Sequence, residues 1–385
     1  MKGIINRPVK LWLVMVTAAI LWMMGAGFQK ANSASSEDLY DGLKLFSDVI
    51  ELIQREYVDE VDSKDLIQKA IQGMVQGLDP HSSLLPSDAF EDLQIDTKGK
   101  FTGIGIHITM RNGFVTVISP IEDTPAHKAG IEAGDRIIKV DGQFAKDLRE
   151  AVRMMRGPKG SKVAVTIMRE GIKKPMEFEL IRDEIPIQSV KFVTLKPGYG
   201  YLRLSNFTAT TTQEFEKALE KLEAETDSMK GLILDLRNNG GGYLVTAIEV
   251  ASEFIDKGVV MYEEYGDGSR DTYTAKAGGR ATEIPLIVLV NEGTASASEI
   301  VAGAIQDYAR GQLVGVVTYG KGTVQNWIEL DNGQGGVRVT IARWLTPNGT
   351  QISEVGLTPD VIVEITEEDY TNGVDPQLEK AIELL

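Results

Sequence analysis

The sequence predicts an α/β protein of several domains, and three stretches carry that expectation. Gly231-Leu-Ile-Leu-Asp-Leu236 and Leu286-Ile-Val-Leu-Val290 are short unbroken apolar runs that read as buried strands. Each enters a turn of small residues and then a run with apolar residues at helical spacing. The first passes through Arg237-Asn-Asn-Gly-Gly-Gly-Tyr243 into a helix ending near Phe254. The second passes through Asn291-Glu-Gly-Thr-Ala-Ser296 into a helix carrying Ile300, Val301, Ala304, Ile305 and Tyr308. Upstream, Tyr199-Gly-Tyr-Leu-Arg-Leu204 reads as a strand and Thr212 to Ala224 as a helix. Such strand–helix alternation argues an α/β core.

Composition bounds the function. A chain of 385 residues with 43% apolar content can bury two or more cores. Its formal charge of −16 would repel the phosphates of nucleic acid. With no cysteine there is neither a disulfide nor a thiolate metal site, which leaves the compartment open. The N-terminus addresses the compartment. Lys2, Arg7 and Lys10 precede the uncharged, mostly apolar run Leu11 to Phe28. The basic flank stays inside, so everything after Lys30 is expected to be exported. Residues 1–34 read either as a signal peptide, with Ala31-Asn-Ser33 as a small-residue cleavage site, or as a retained membrane anchor.

Residues 37–96 read as a helical segment. Apolar residues at 39, 43, 46, 50, 53 and 57 make a helix with one apolar stripe, and a second helix runs from Lys64 to about Gly77, ahead of Asp79-Pro80. The stripe either caps the neighbouring domains or pairs two copies of the chain. His81 has no second metal ligand nearby and reads as structural; no metal or organic cofactor is expected.

Residues 97–182 form the next unit. Phe101-Thr-Gly-Ile-Gly-Ile-His-Ile-Thr-Met110 places Ile104, Ile106, Ile108 and Met110 on one strand face. Asn112-Gly113 then turns the chain into Phe114-Val-Thr-Val-Ile118, a strong hairpin signal. Pro125-Ala-His-Lys-Ala-Gly-Ile131 and Gly134-Asp-Arg-Ile-Ile-Lys-Val-Asp-Gly142 follow, and this unit resembles a PDZ domain. The resemblance makes Asp147 to Met155 the groove helix. It also gives Gly103, Ile104, Gly105 and Ile106 the task of offering N–H groups to a peptide's terminal carboxylate.

Residues 183–345 contain the α/β core, and residues 346–385 complete it with a short closing helix from Pro376. The glycine-rich turn after Leu236 has no Walker lysine and no G-x-G-x-x-G pattern, so it does not read as a phosphate cradle. The second turn is more informative. About fourteen helical residues from Ser296 climb roughly 20 Å. After Gly311, about seven extended residues from Gln312 to Tyr319 return roughly 23 Å. That return puts Lys321 beside Ser296, with Gln325 four residues further on.

Serine needs a base, and lysine serves as one only when desolvated enough to lose its proton near neutrality. No Asp or Glu occurs from Leu313 to Ile328, and Gln325 offers a neutral amide that could orient the amine. The three histidines, His81, His107 and His127, lie outside the segments that build this site, and no G-x-S-x-G elbow is present. Read singly, Ser296 is a helix N-cap and Lys321 a solvated loop lysine; their joint placement points to nucleophile and base. The helix start adds backbone donors where an oxyanion would form, Ala297 first among them.

Thr294-Ala-Ser-Ala-Ser-Glu299 followed by Gly320-Lys-Gly-x-x-Gln325 resembles the carboxy-terminal processing (tail-specific) proteases. The resemblance implies a crotonase-like protease core with an inserted PDZ domain, Ser296 as nucleophile, Lys321 as general base and Gln325 orienting it. Ser298 is the internal rival for nucleophile. The family's Leu-Arg-x-Asn-x-Gly-Gly stretch implies that a glycine N–H completes the oxyanion hole with Ala297; Gly241 is assigned, with Gly240 the alternative. It further implies cleavage of exported proteins recognised by their C-terminal tails, in the periplasm or at the outer face of a bacterial inner membrane. A catalytically silent tail-binding adaptor and a crotonase-type acyl-CoA enzyme are the rival functions.

Overall fold

A computed structural model of the chain describes residues 38–225 and 228–385, so the 1–34 leader lies outside the described residues. Contacts divide the chain into two units, Met1–Pro80 and His81–Leu385. In the first unit, the expected helices span 38–56 and Ser63–Gln76. Asp62 caps the second, its carboxylate accepting from Lys64 N at 3.0 Å. Leu39, Leu43, Phe46 and Tyr57 of the stripe are exposed.

Within the second unit, the PDZ part is a five-stranded antiparallel sheet. Its strands, in order across the sheet, are Ile106–Arg111, Phe114–Pro120, Arg136–Val140, Lys162–Met168 and Met176–Ile181. Asn112 and Gly113 both take positive φ, 52° and 79°, as a two-residue type I′ hairpin requires. The groove helix is Leu148–Met155, capped by Asp147. One expectation is corrected. Gly105, at φ 79°, breaks the strand, so Ile104 lies outside it, although Ile104, Ile106 and Ile108 all pack in the PDZ core. Ile104 is buried in the PDZ core while Met110 is exposed.

The α/β core holds a six-stranded sheet. Its order is Val361–Ile362, Gln312–Gly315, Leu286–Val290, Gly231–Asp235, Tyr199–Leu204 and Val190–Lys196, and only the last strand is antiparallel to its neighbour. Parallel strands need cover on both faces, which explains the unbroken apolar runs. Every residue of Leu286–Val290 and of Gly231–Asp235 is buried. Helices Thr211–Ala224, Leu244–Ser252 and Ala297–Asp307 pack into the larger apolar cluster. Ile233, Ile287, Leu289 and Val314 point the other way, toward Ala381 on Pro376–Leu384.

A second, antiparallel sheet flanks the site. Gly336–Leu345 pairs on one side with Thr323–Glu329 and on the other with Ser83–Leu85 and Val259–Tyr265, and Arg270–Thr274 follows at the edge. The returning strand is shorter than the sequence suggests. It stops at Gly315, whose φ of 138° admits a close approach to Val290, and Val316 to Gly322 cross to the second sheet as a loop.

Candidate active site

Two buried parallel strands end side by side, and the loops that follow them are stitched together. Asn291 Oδ1 accepts from Asn238 N at 2.8 Å, and Asn291 Nδ2 donates to Asn238 Oδ1 at 3.0 Å. Thr294 Oγ1 donates to Leu236 O at 2.9 Å, and Ala295 N to Asn239 O at 3.0 Å. The start of the helix at 297 is thus fixed to the glycine turn before that helix begins.

Ser298 N donates to Ala295 O at 3.2 Å, closing a four-residue turn around Ser296, which sits at φ 58°, ψ −119°. Those angles belong to the first central position of a type II′ turn, a place ordinarily taken by glycine. A serine held there is strained, and such strain persists only where surrounding bonds enforce it. Ser298, the rival nucleophile, is fully buried and donates its hydroxyl to Asn239 O at 2.9 Å. Its hydroxyl stitches loops; that of Ser296 donates to no other described residue.

The structure reveals a residue that the sequence reading left aside. Glu299 is completely buried, and both its oxygens are engaged. Oε2 accepts from Ser296 N at 2.8 Å and from Lys321 N at 2.9 Å. Oε1 accepts from Thr318 Oγ1 at 2.6 Å and from Gly320 N at 2.7 Å. Sharing one oxygen keeps the backbone nitrogens of Ser296 and Lys321 within roughly 6 Å of each other. The signal was present in the sequence: Ser296-Ala-Ser-Glu299 has the S-x-x-E spacing of a capping box. It also corrects an inference from sequence. No acid is near Lys321 along the chain, yet the fold brings one.

Burial still dominates at Lys321. Desolvation pushes its amine below the ordinary lysine value, the positive charge of Arg338 pushes the same way, and Glu299 opposes both. Among the described residues the Lys321 amine makes no hydrogen bond, and neither Ser296 nor Gln325 bonds to it. Gln325 Nε2 donates to Thr323 Oγ1 at 2.8 Å and Thr340 Oγ1 at 3.1 Å, which leaves its Oε1 open as an acceptor.

Gly241 lies directly beneath Ser296. A Cβ there would sit 2.8 Å from Ser296 Cβ and 2.9 Å from Ala297 N, at a φ of 100°. The amide of Gly241, however, already donates to Asn239 Oδ1 at 2.9 Å, whereas those of Gly240, Gly242 and Ala297 donate no bond to the described residues.

At the PDZ groove, the carbonyls of Ile104 and Gly105 turn inward. Ile104 O accepts from Ala126 N at 2.9 Å, and Gly105 O from Ile121 N and Thr124 Oγ1, each at 3.0 Å. The N–H groups of Ile104 and Gly105 donate no bond among the described residues. Gly103, which pairs with Asp183, joins Ile104, Gly105, Ile106, Val152 and Met155 around a cavity of about 140 Å³. Neither a metal-holding cluster nor a helix long and apolar enough to cross a membrane occurs among the described residues.

Profiles of known families match three stretches of the chain. The profile of Peptidase family S41 matches residues 198–363, that of the PDZ domain 102–191, and that of the activating protease CtpB N-terminal domain 18–89. A carboxy-terminal-processing protease of Bartonella bacilliformis is 42% identical over 91% of this chain and 81% of its own length. The carboxy-terminal processing protease CtpA of Bacillus subtilis is 35% identical over 94% of this chain and 78% of its own. Among solved structures, the photosystem II D1 C-terminal processing protease is 34% identical, covering 83% of this chain and 92% of its own at a TM-score of 0.48. The chain belongs to the carboxy-terminal processing proteases, serine-type peptidases of family S41 that carry a PDZ domain.

Proposed function

We propose that this peptidase works through a Ser-Lys site in which Ser296 is the nucleophile and Lys321 the general base. The observation that carries the reading is the Glu299 oxygen bonded to the backbone of both residues. Neutral Lys321 takes the proton of Ser296 Oγ as that oxygen attacks the scissile carbonyl. The resulting ammonium returns the proton to the leaving amine, and water, deprotonated by the same lysine, releases the acyl group. Gln325 Oε1 orients the amine. Ala297 N–H holds the oxyanion together with one amide of the 240–242 turn, Gly241 serving if it releases Asn239. Oxyanion donors contribute about 3 to 4 kcal/mol each.

Substrates are exported polypeptides whose free C-terminus adds to the PDZ groove, with residues 103–106 receiving the carboxylate. Residues 97–182 are then the capturing domain and 183–345, completed by 346–385, the cutting one. Residues 1–34 take the chain across a bacterial inner membrane as a cleaved leader or a retained anchor. The exposed stripe of 37–96 pairs two copies. Incubating a disordered polypeptide with wild type, Ser296→Ala and Lys321→Ala, and identifying fragments by mass, tests the site. Cleavage by wild type alone is expected; fragments from Ser296→Ala would overturn the assignment.

A further inference from the structure

Among the described residues, three buried side-chain polar atoms lack a hydrogen-bond partner: Ser83 Oγ, Arg338 Nε and Trp327 Nε1. They are neighbours. Ser83 and Trp327 stand directly opposite Arg338 on the two strands that flank it, so all three side chains share one face of the sheet. That face is the catalytic one. Gln325 and Thr340, which bond each other, occupy the adjacent row, and Ala342 and Trp344 continue it into the core. The Trp327 ring faces Tyr243, 6.5 Å away, at the end of the glycine turn beside Ser296.

Three orphaned polar atoms in one row call for a ligand, because each unmet buried group costs stability. Two of the three can only donate, and the hydroxyl can donate too. The charge narrows the choice further. The chain has 56 acidic residues against 40 basic ones, yet Arg338 pairs with no acid among the described residues. Its charge is felt at Lys321, so the row lies within electrostatic reach of the catalytic amine.

We propose that Ser83, Trp327 and Arg338 form a subsite for a carboxylate of the peptide substrate, adjacent to the scissile bond. This inference rests on the peptidase reading above and adds a specificity determinant to it. The arginine supplies charge and a fork of donors, the indole N–H and the hydroxyl fix the carboxylate's position, and Tyr243 borders the approach. The carboxylate is that of an acidic side chain, because residues 103–106 receive the substrate's own C-terminus.

The test compares the full-length protein with Arg338→Met, Arg338→Lys and Trp327→Phe on peptides that carry Glu or Gln at each position around the cleavage site. A second peptide set, with a free or amidated C-terminus, reports on the PDZ groove and serves as the control. Wild type is expected to prefer the carboxylate by about tenfold or more in kcat/KM, and Arg338→Met to erase that ratio. Arg338→Lys should keep part of it. Loss of the Glu/Gln ratio upholds the subsite, whereas the acid/amide ratio, set by residues 103–106, should survive Arg338→Met. An unchanged Glu/Gln ratio in a folded Arg338→Met would overturn the subsite, whatever its overall rate. Binding of the same peptides to Ser296→Ala separates the two readings. A carboxylate preference in binding, lost with Arg338, would uphold the subsite even if no cleavage were found.

Discussion

The two turns that meet at the site do similar topological work by different means. Each follows a fully buried parallel strand and leads into a helix of the same apolar cluster. The first reaches its helix through Gly241 and Gly242, at φ 100° and 144°, and presents only backbone. Its glycines are required by contact, since a Cβ on Gly242 would fall 2.0 Å from Phe207 O. The second puts a serine at φ 58°, where glycine would be easier. The difference lies in residue type: the first turn fills its crowded positive-φ positions at 241 and 242 with glycine, whereas the second holds a serine at its own. Glu299 enforces the strained turn by holding Ser296 N.

The comparison breaks most severely at the serines. Ser296→Ala should reduce turnover by about a thousandfold or more, to whatever binding and backbone donors alone can supply. Ser298→Ala removes only a bond to Asn239 O, worth about 1 kcal/mol, and should leave turnover within a few fold. Steady-state rates on one peptide decide the matter. The reverse ranking would make Ser298 the nucleophile.

On the other turn, Gly241→Ala should cost about a hundredfold in kcat, because the new methyl displaces Ser296 and Ala297 by a sizeable fraction of an ångström. Gly240→Ala is the internal control. Nothing lies within 4 Å of a Cβ there, so rate and stability should barely change. Equal losses at both positions would show that the turn acts by flexibility rather than by contact.

The pH profile sharpens the electrostatic side of the comparison. Only the neutral amine of Lys321 is a base, so the rate should rise with pH through a pKa below the ordinary lysine value. Glu299 raises that pKa and Arg338 lowers it. Glu299→Gln should therefore move the rising limb to lower pH, and Arg338→Met should move it to higher pH. Shifts in the same direction would contradict the assignment of the limb to Lys321.

Much of this was legible in the sequence, for reasons that differ by element. The buried strands and the Asn112-Gly113 hairpin were readable because burial on both faces and paired positive φ each demand a narrow choice of residues. The approach of Lys321 to Ser296 followed from helix rise and strand length, although the strand stops early at Gly315. Ile104 was read as part of the strand because an alternating apolar pattern does not reveal that Gly105 interrupts it. Beyond Ser296, the partners of Glu299 lie about twenty residues away along the chain, and Ser83 meets Arg338 from the far side of the PDZ unit. Such pairings arise from topology, and no local pattern encodes them.

The smallest expected effect isolates the strain itself. Ser296→Gly and Ser296→Ala both remove the hydroxyl, so they differ in backbone freedom and one methyl. At φ 58°, ψ −119° an alanine bears a conformational cost of about 1 to 3 kcal/mol that glycine escapes. Glycine in turn gives up about 0.4 to 1 kcal/mol through its freer unfolded chain. Ser296→Gly should therefore be the more stable of the two inactive variants by about 1 kcal/mol. Urea midpoints at equal slope measure this difference. If Ser296→Ala proves equal or better, the turn accepts a side chain without penalty. Strain would then not distinguish it from the glycine turn beside it.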